Sequence, residues 1–277
     1  MKKIVILLYC VFAFDSLLYG QSELVIKDSL LYTHTDLSTT KIISVLSLID
    51  TGSSLCVIDS IFAKDSMEIN IMDDEKVLVN TKTNLLSTCI VDSVKFCGKV
   101  YRKVYCIVAN LRETFQEYAP DFIIGADILR DRPLKFNRSS MIIEPVKKRK
   151  REGTVLKWES SDAYSSIPVG YMVFETKIQG ENACFVFDTG SRNNKLPNNI
   201  HMEPSGFLQK ESADINHQLA TQQLRLYKNV KFQIGKQIFT LDFLEGKKEY
   251  GLLGLDFLGG HSFILNYGEK TLEILPF

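Results

Sequence analysis

One pattern occurs twice along this chain in the same order, and that repetition restricts the fold more than any other feature. Leu48-Ile49-Asp50-Thr51-Gly52-Ser53 returns as Val186-Phe187-Asp188-Thr189-Gly190-Ser191. Phe122-Ile123-Ile124-Gly125-Ala126-Asp127-Ile128-Leu129 returns as Gly251-Leu252-Leu253-Gly254-Leu255-Asp256-Phe257-Leu258. The spacing agrees as well: 75 residues separate Asp50 from Gly125, and 66 separate Asp188 from Gly254. Leu134-Lys135-Phe136-Asn137 is answered by Phe263-Ile264-Leu265-Asn266, each ahead of a closing strand at 141–143 and 271–275. A chain of 277 residues has room for two such units, each with its own core. Duplication of one domain is the plain reading.

Between these marks the pattern is β. Val77-Leu78-Val79, Ile90-Val91 and residues 94–96 are short apolar or alternating runs, and Cys97-Gly98-Lys99 reads as a turn into a Val- and Tyr-rich strand over 100–108. Val230, Phe232 and Ile234 alternate with polar residues, Gly235-Lys236 turns the chain, and Phe239, Leu241 and Phe243 share one face of the next strand. Helical periodicity is weak, with one short helix expected after each apolar-apolar-Gly motif, at 126–130 and 255–258. The expected fold class is therefore all-β and mainly antiparallel. The expected organisation is a leader over 1–20, one unit over 21–146, a linker over 147–166 and a second unit over 167–277.

The leader expectation rests on Lys2 and Lys3 followed by an unbroken apolar run over 4–14, which is short for a bilayer span and reads as an export signal. Export would place the protein in the periplasm, at the cell surface or outside the cell. Removing Cys10 leaves Cys56, Cys89, Cys97, Cys106 and Cys184, an odd number. One disulfide among Cys89, Cys97 and Cys106 is open, and so is the reading in which all five are small buried apolar residues. With 33 basic and 33 acidic residues, no global field favours nucleic acid or an anionic membrane. The run Lys147-Lys148-Arg149-Lys150-Arg151 reads as part of a solvated linker. There is no HExxH or CxxC, and the four histidines are scattered, so neither a metal nor a cofactor is expected.

Two Asp-Thr-Gly-Ser loops, each followed at similar distance by an apolar-apolar-Gly, resemble the aspartic peptidases, both pepsin-like and retropepsin-like, over 42–277. The resemblance implies two similar β-barrel-like lobes related by a pseudo-twofold axis, with a cleft between them and a monomeric endopeptidase acting on peptide or protein. It implies Asp50 and Asp188 as the catalytic pair. Two carboxylates in one site cannot both ionise easily and hold one proton between them. The ionised member takes a proton from a bound water, and the protonated member donates to the scissile carbonyl oxygen. Thr51 and Thr189 are implied as supports bonded to the opposite loop, and Gly52 and Gly190 as tight turns. Ser53 and Ser191 are expected to donate hydroxyl hydrogen bonds to the neighbouring carboxylates, which would favour an acidic optimum. Gly125 and Gly254 are implied where backbone packs against the catalytic loops.

Two features depart from the family pattern. Arg192-Asn193-Asn194-Lys195 is polar where Ser54-Leu55-Cys56-Val57 is largely apolar. The Tyr-Gly pair of a pepsin flap is missing between Asp50 and Gly125, leaving 76–88 as the flap by position and 204–221 as its counterpart. These features motivate an alternative, a catalytically silent protein that binds peptide or another ligand in the cleft. A paired-carboxylate glycosidase is a third reading, opposed by the two-lobe symmetry.

Overall fold

A computed structural model describes residues 20–79, 82–147, 150–164, 166–167, 170–213 and 219–277. Apart from Gly20, the expected leader lies outside them. Strand makes up 52% and helix 11%, as an all-β chain requires.

The first half opens with β1 (Ser22–Glu23), β2 (Val25–Lys27), β3 (Leu30–Ser38) and β4 (Ile42–Ile49). Asp28 and Ser29 join β2 to β3 with φ of 46° and 57°, the paired positive values of a two-residue hairpin turn. Alternation along β3 turns Thr33, Thr35 and Leu37 inward and leaves His34 outside. β5 (Cys56–Asp59), β6 (Met72–Val79), β7 (Lys82–Phe96), β8 (Lys99–Ala109) and β9 (Phe122–Ile124) follow, with α1 (Leu111–Phe115) before β9 and α2 (Ala126–Leu129) after it. Strands β2 to β9 form one sheet in the order β2-β3-β4-β9-β5-β8-β7-β6. Most pairs are antiparallel, but β4 with β9 and β5 with β8 are parallel.

β10 (Leu134–Asn137) and β11 (Ile142–Pro145) close the first half. The expected linker is corrected here: 147–166 carries β12 (Thr154–Lys157) and β13 (Glu159–Ser160). At its basic start Lys147, Lys150 and Arg151 are exposed, with Arg151 paired to Glu269 at 2.6 Å on the surface. Beyond it Leu156 and Trp158 are buried, so this part packs as strand. The second half continues with β14 (Met172–Ile178), β15 (Glu181–Phe187), β16 (Gly206–Ala213), β17 (Leu219–Ile234), β18 (Gln237–Leu244) and β19 (Gly251–Leu253). Strands β13 to β19 form a seven-stranded sheet in which β15 runs parallel to β19.

β20 (Phe263–Asn266) and β21 (Thr271–Ile274) complete a third sheet of mixed parentage, ordered β1-β11-β10-β20-β21-β12. At its centre β10 and β20 pair antiparallel, Leu134 with Leu265, Lys135 with Ile264 and Phe136 with Phe263. The Phe136 and Phe263 rings stack with centroids 4.5 Å apart. One apolar cluster extends from Leu24 to Leu272 and draws on both halves.

The five described cysteines are free thiols. Cys89 and Cys106 face each other across β7 and β8 without a bond between them, and four of the five are buried as small apolar residues.

Candidate active site

Each half builds its Asp-Thr-Gly loop in the same way. β4 ends beside β9, and the Asp50 N–H donates to the Ile124 carbonyl at 3.1 Å. β15 ends beside β19, and the Asp188 N–H donates to the Leu253 carbonyl at 2.9 Å. The chain then turns on itself: Gly52 N–H donates to Asp50 Oδ1 at 2.7 Å, and Gly190 N–H to Asp188 Oδ1 at 3.0 Å. Behind the loops, Gly125 and Gly254 have ordinary negative φ but no room for a side chain. A Cβ on Gly254 would lie 2.5 Å from the Ser191 carbonyl oxygen, and one on Gly125 would collide with that of Leu55.

The loops meet through their threonines. The Thr51 hydroxyl donates to the Phe187 carbonyl at 2.8 Å and accepts the Thr189 N–H at 3.0 Å. The Thr189 hydroxyl donates to the Ile49 carbonyl at 2.7 Å and accepts the Thr51 N–H at 3.1 Å. Both threonines are buried. The glycines are confined just as reciprocally: a Cβ on Gly52 would stand 2.5 Å from Asp188 Cγ, and one on Gly190 would stand 2.5 Å from Asp50 Cγ.

Asp50 and Asp188 are thereby brought together, each carboxylate lying against the glycine of the opposite loop, and both are half-buried. Burial raises both carboxyls above the ordinary carboxylate range, and the charge of Asp188 raises Asp50 further. Backbone N–H groups of Gly52 and Gly190 oppose that rise. Two cations on one flank, Lys195 and Lys248, also oppose it at Asp188.

The serines do not act as expected. The Ser53 hydroxyl donates to the Leu55 carbonyl at 2.7 Å and the Ser191 hydroxyl to the Asn193 carbonyl at 2.9 Å. A hydroxyl has one proton to give, so neither serine donates to its neighbouring carboxylate, and the acidic optimum loses that support.

The polar stretch after Asp188 has structural partners. Arg192 pairs with Asp28 at 3.0 Å and lies 4.2 Å from the Tyr118 ring centroid, fastening this loop to the first half. Asn194 is buried, and its Oδ1 accepts the Gly254 N–H at 2.9 Å. Six residues after Asp50, Cys56 occupies the corresponding position, and its thiol donates to Asp127 Oδ1 at 3.2 Å. The expected flap, 76–88, spans the β6–β7 hairpin, and 204–221 spans the β16–β17 hairpin; residues 80–81 and 214–218 lie outside the described ones.

Sequence reasoning missed Tyr171, Tyr250 and Lys248. Tyr250 is buried beside Ile167, Val173 and Val186, with Tyr171 packed against the same group. Burial and the nearby aspartates raise both phenols, that of Tyr250 to about 12, so both are neutral donors at physiological pH. Their only signal was their position before β14 and β19, which no motif marks. A separate hollow of about 450 Å³, lined by Lys64, Asn70 and Asp73 among others, includes neither Asp50 nor Asp188. No three metal-ligating side chains cluster among the described residues. Neither the models of known protein families nor the curated proteins give a match to this chain.

Proposed function

We propose that the chain is an aspartic endopeptidase of the pepsin-like and retropepsin-like kind, with two lobes related by an approximate twofold axis and a cleft at the dyad. The convergence of the two half-buried carboxylates, each against the glycine of the other loop, carries this reading. Reciprocity supports the twofold relation. Each threonine bonds into the other loop, each glycine abuts the other carboxylate, and β10 meets its own counterpart β20 in antiparallel register.

In the proposed reaction the dyad holds one proton. Its ionised oxygen removes a proton from a water poised between the carboxyls, the water oxygen attacks the peptide carbonyl carbon, and the protonated carboxyl donates to the carbonyl oxygen. Collapse of the tetrahedral intermediate breaks the C–N bond as the amine leaves with a proton from the dyad. The acid and base roles belong to the pair. The same proposal includes export behind the amino-terminal segment and action as a monomer, because one chain supplies both carboxylates. Arg192 and Asn194 have partners in the fold, so the polar stretch no longer favours a silent binding protein.

The test is cleavage of a diverse peptide library across pH. Cleavage is expected to be blocked by pepstatin-type inhibitors and lost in Asp50→Ala and in Asp188→Ala. Turnover that survives either substitution excludes the proposal.

A further inference from the structure

Three buried thiols stand side by side across the first-half sheet. β8 lies between β5 and β7, and its Cys106 is paired in register with Cys56 on one side and with Cys89 on the other. Residues paired in register point to the same face of a sheet, and all three are fully buried in the apolar core. The Cys89–Cys106 pair sits in continuous antiparallel register, with Thr88 opposite Ile107 on one side of it and Ile90 opposite Tyr105 on the other. Ile90 and Tyr105 turn outward, as alternation requires. Directly opposed residues of an antiparallel pair have Cα atoms about 4.5–5.5 Å apart, inside the roughly 4.4–6.8 Å that a disulfide spans. The other described cysteines lack this placement. Cys97 lies in the β7–β8 turn with its Sγ donating to the Ile143 carbonyl at 3.7 Å, and Cys184 lies in β15 of the second half.

The two neighbours of Cys106 are not equivalent. The Cys56 thiol donates to Asp127 Oδ1 at 3.2 Å, and its backbone N–H donates to Asp127 Oδ2 at 3.3 Å. Burial and that carboxylate push the Cys56 thiol up, so it keeps its proton. Disulfide exchange needs a thiolate, which makes Cys56 the poorer partner. We propose that Cys89 and Cys106 are a disulfide-forming pair, joined by exchange with a small-molecule disulfide in oxidising surroundings, while Cys56 stays a thiol. One thiolate of the pair attacks the small disulfide, which releases one of its halves and leaves the other on the protein as a mixed disulfide. The second thiolate attacks the protein sulfur of that bond and releases the remaining half. The two cysteines lose two electrons and two protons, and the small disulfide leaves as two thiols. Full burial keeps the acceptor from the closed fold, so the exchange belongs to folding or to local opening of β7 from β8. The bond stands at the root of the β6–β7 hairpin, because Thr88 is where β7 passes from Met72 of β6 to Ile107 of β8. β8 also pairs with β5, the strand that leads out of the Asp50 loop, so the bond braces the hairpin against that strand. None of this requires the peptidase reading.

The test refolds the full chain in a mixture of oxidised and reduced glutathione, blocks the remaining thiols with iodoacetamide and maps the peptides without reduction. A peptide joining Cys89 to Cys106 is expected, with Cys56 alkylated. The intact mass should show two blocking groups fewer than that of the chain refolded with a reducing phosphine. The thermal midpoint of the oxidised chain should fall by several degrees when the bond is reduced. Cys56→Ala should keep the link and the fall. Cys89→Ala should lose both and melt alike in either buffer. Alkylation of every cysteine after oxidative refolding overturns the inference, and so does Cys106 joined to Cys56, to Cys97 or to a second copy of the chain. A midpoint unmoved by reduction overturns the bracing role. If Cys89→Ala fails to fold, the peptide map of the native chain decides.

Discussion

Thr51 and Thr189 each use a single hydroxyl twice, once as donor and once as acceptor, across the same boundary. Thr51→Ala would leave the Phe187 carbonyl and the Thr189 N–H unpaired in a buried place, at a cost of about 2 kcal/mol or more. Chemical denaturation should show that loss together with a fall in kcat, and Thr51→Ser should restore most of both. The dyad has the opposite relation to stability. Its folded pKa is raised above the unfolded carboxyl value of 3.8, so ionising it costs stability as pH rises from that value through the folded one. Asp50→Asn has no such proton to lose. Its thermal midpoint should exceed that of the native chain by a few degrees at neutral pH, and the gap should close below about pH 4, where both carry neutral side chains. Lys195 and Lys248 hold Asp188 down, so Lys195→Met should move both limbs of the kcat/KM profile to higher pH. An unmoved profile would show that Lys195 lies too far from the dyad to matter. At this scale the aspartates, threonines and glycines were legible because a spacing repeated around them. The serine partners were not, since a hydroxyl chooses among nearby acceptors by geometry alone. Tyr171 and Lys248 were hidden because residues that reach a site from elsewhere in the chain leave no local pattern.

Among the elements, β10 and β20 join the two halves at the centre of one sheet. Phe136 is buried and stacked on Phe263. Phe136→Ala should cost about 3–5 kcal/mol in denaturant unfolding and lower any peptidase activity, although it lies in neither Asp-Thr-Gly loop. Gly125→Ala presses a methyl group onto the Leu55 carbonyl and should displace the first loop, with activity falling far more than helix propensity alone would suggest. Hairpins were readable where Gly marks a two-residue turn, as at Cys97-Gly98 and at Gly235. The Asp28-Ser29 turn adopts the same positive φ without glycine and gave no such signal. The strand in 154–157 was masked by the basic run before it, because charge at one end of a segment says little about burial at the other. The parallel pairing of β4 with β9 depends on contact between distant segments, which alternation within a strand does not encode.

For the molecule as a whole, the threonine bonds, the β10–β20 pairing and the Arg192–Asp28 ion pair all cross from one half to the other. Calorimetry should therefore show one transition, coincident with loss of activity and of tertiary signal; two separated transitions would mean that the halves stand apart in stability. The repeat made the duplication legible, whereas the shared third sheet was not, since nothing in either copy states that its closing strands pair with those of its twin. The confinement of Gly52 and Gly190 also bears on how such a chain can change over generations. After a duplication, sister copies ordinarily accumulate differences independently. Here neither sister can enlarge that glycine without displacing the acid of the other, so the two loops are tied to a common history. Seven positions after each aspartate no such tie exists, and valine in one copy faces lysine in the other. The two copies agree at the shared centre and differ at its margins.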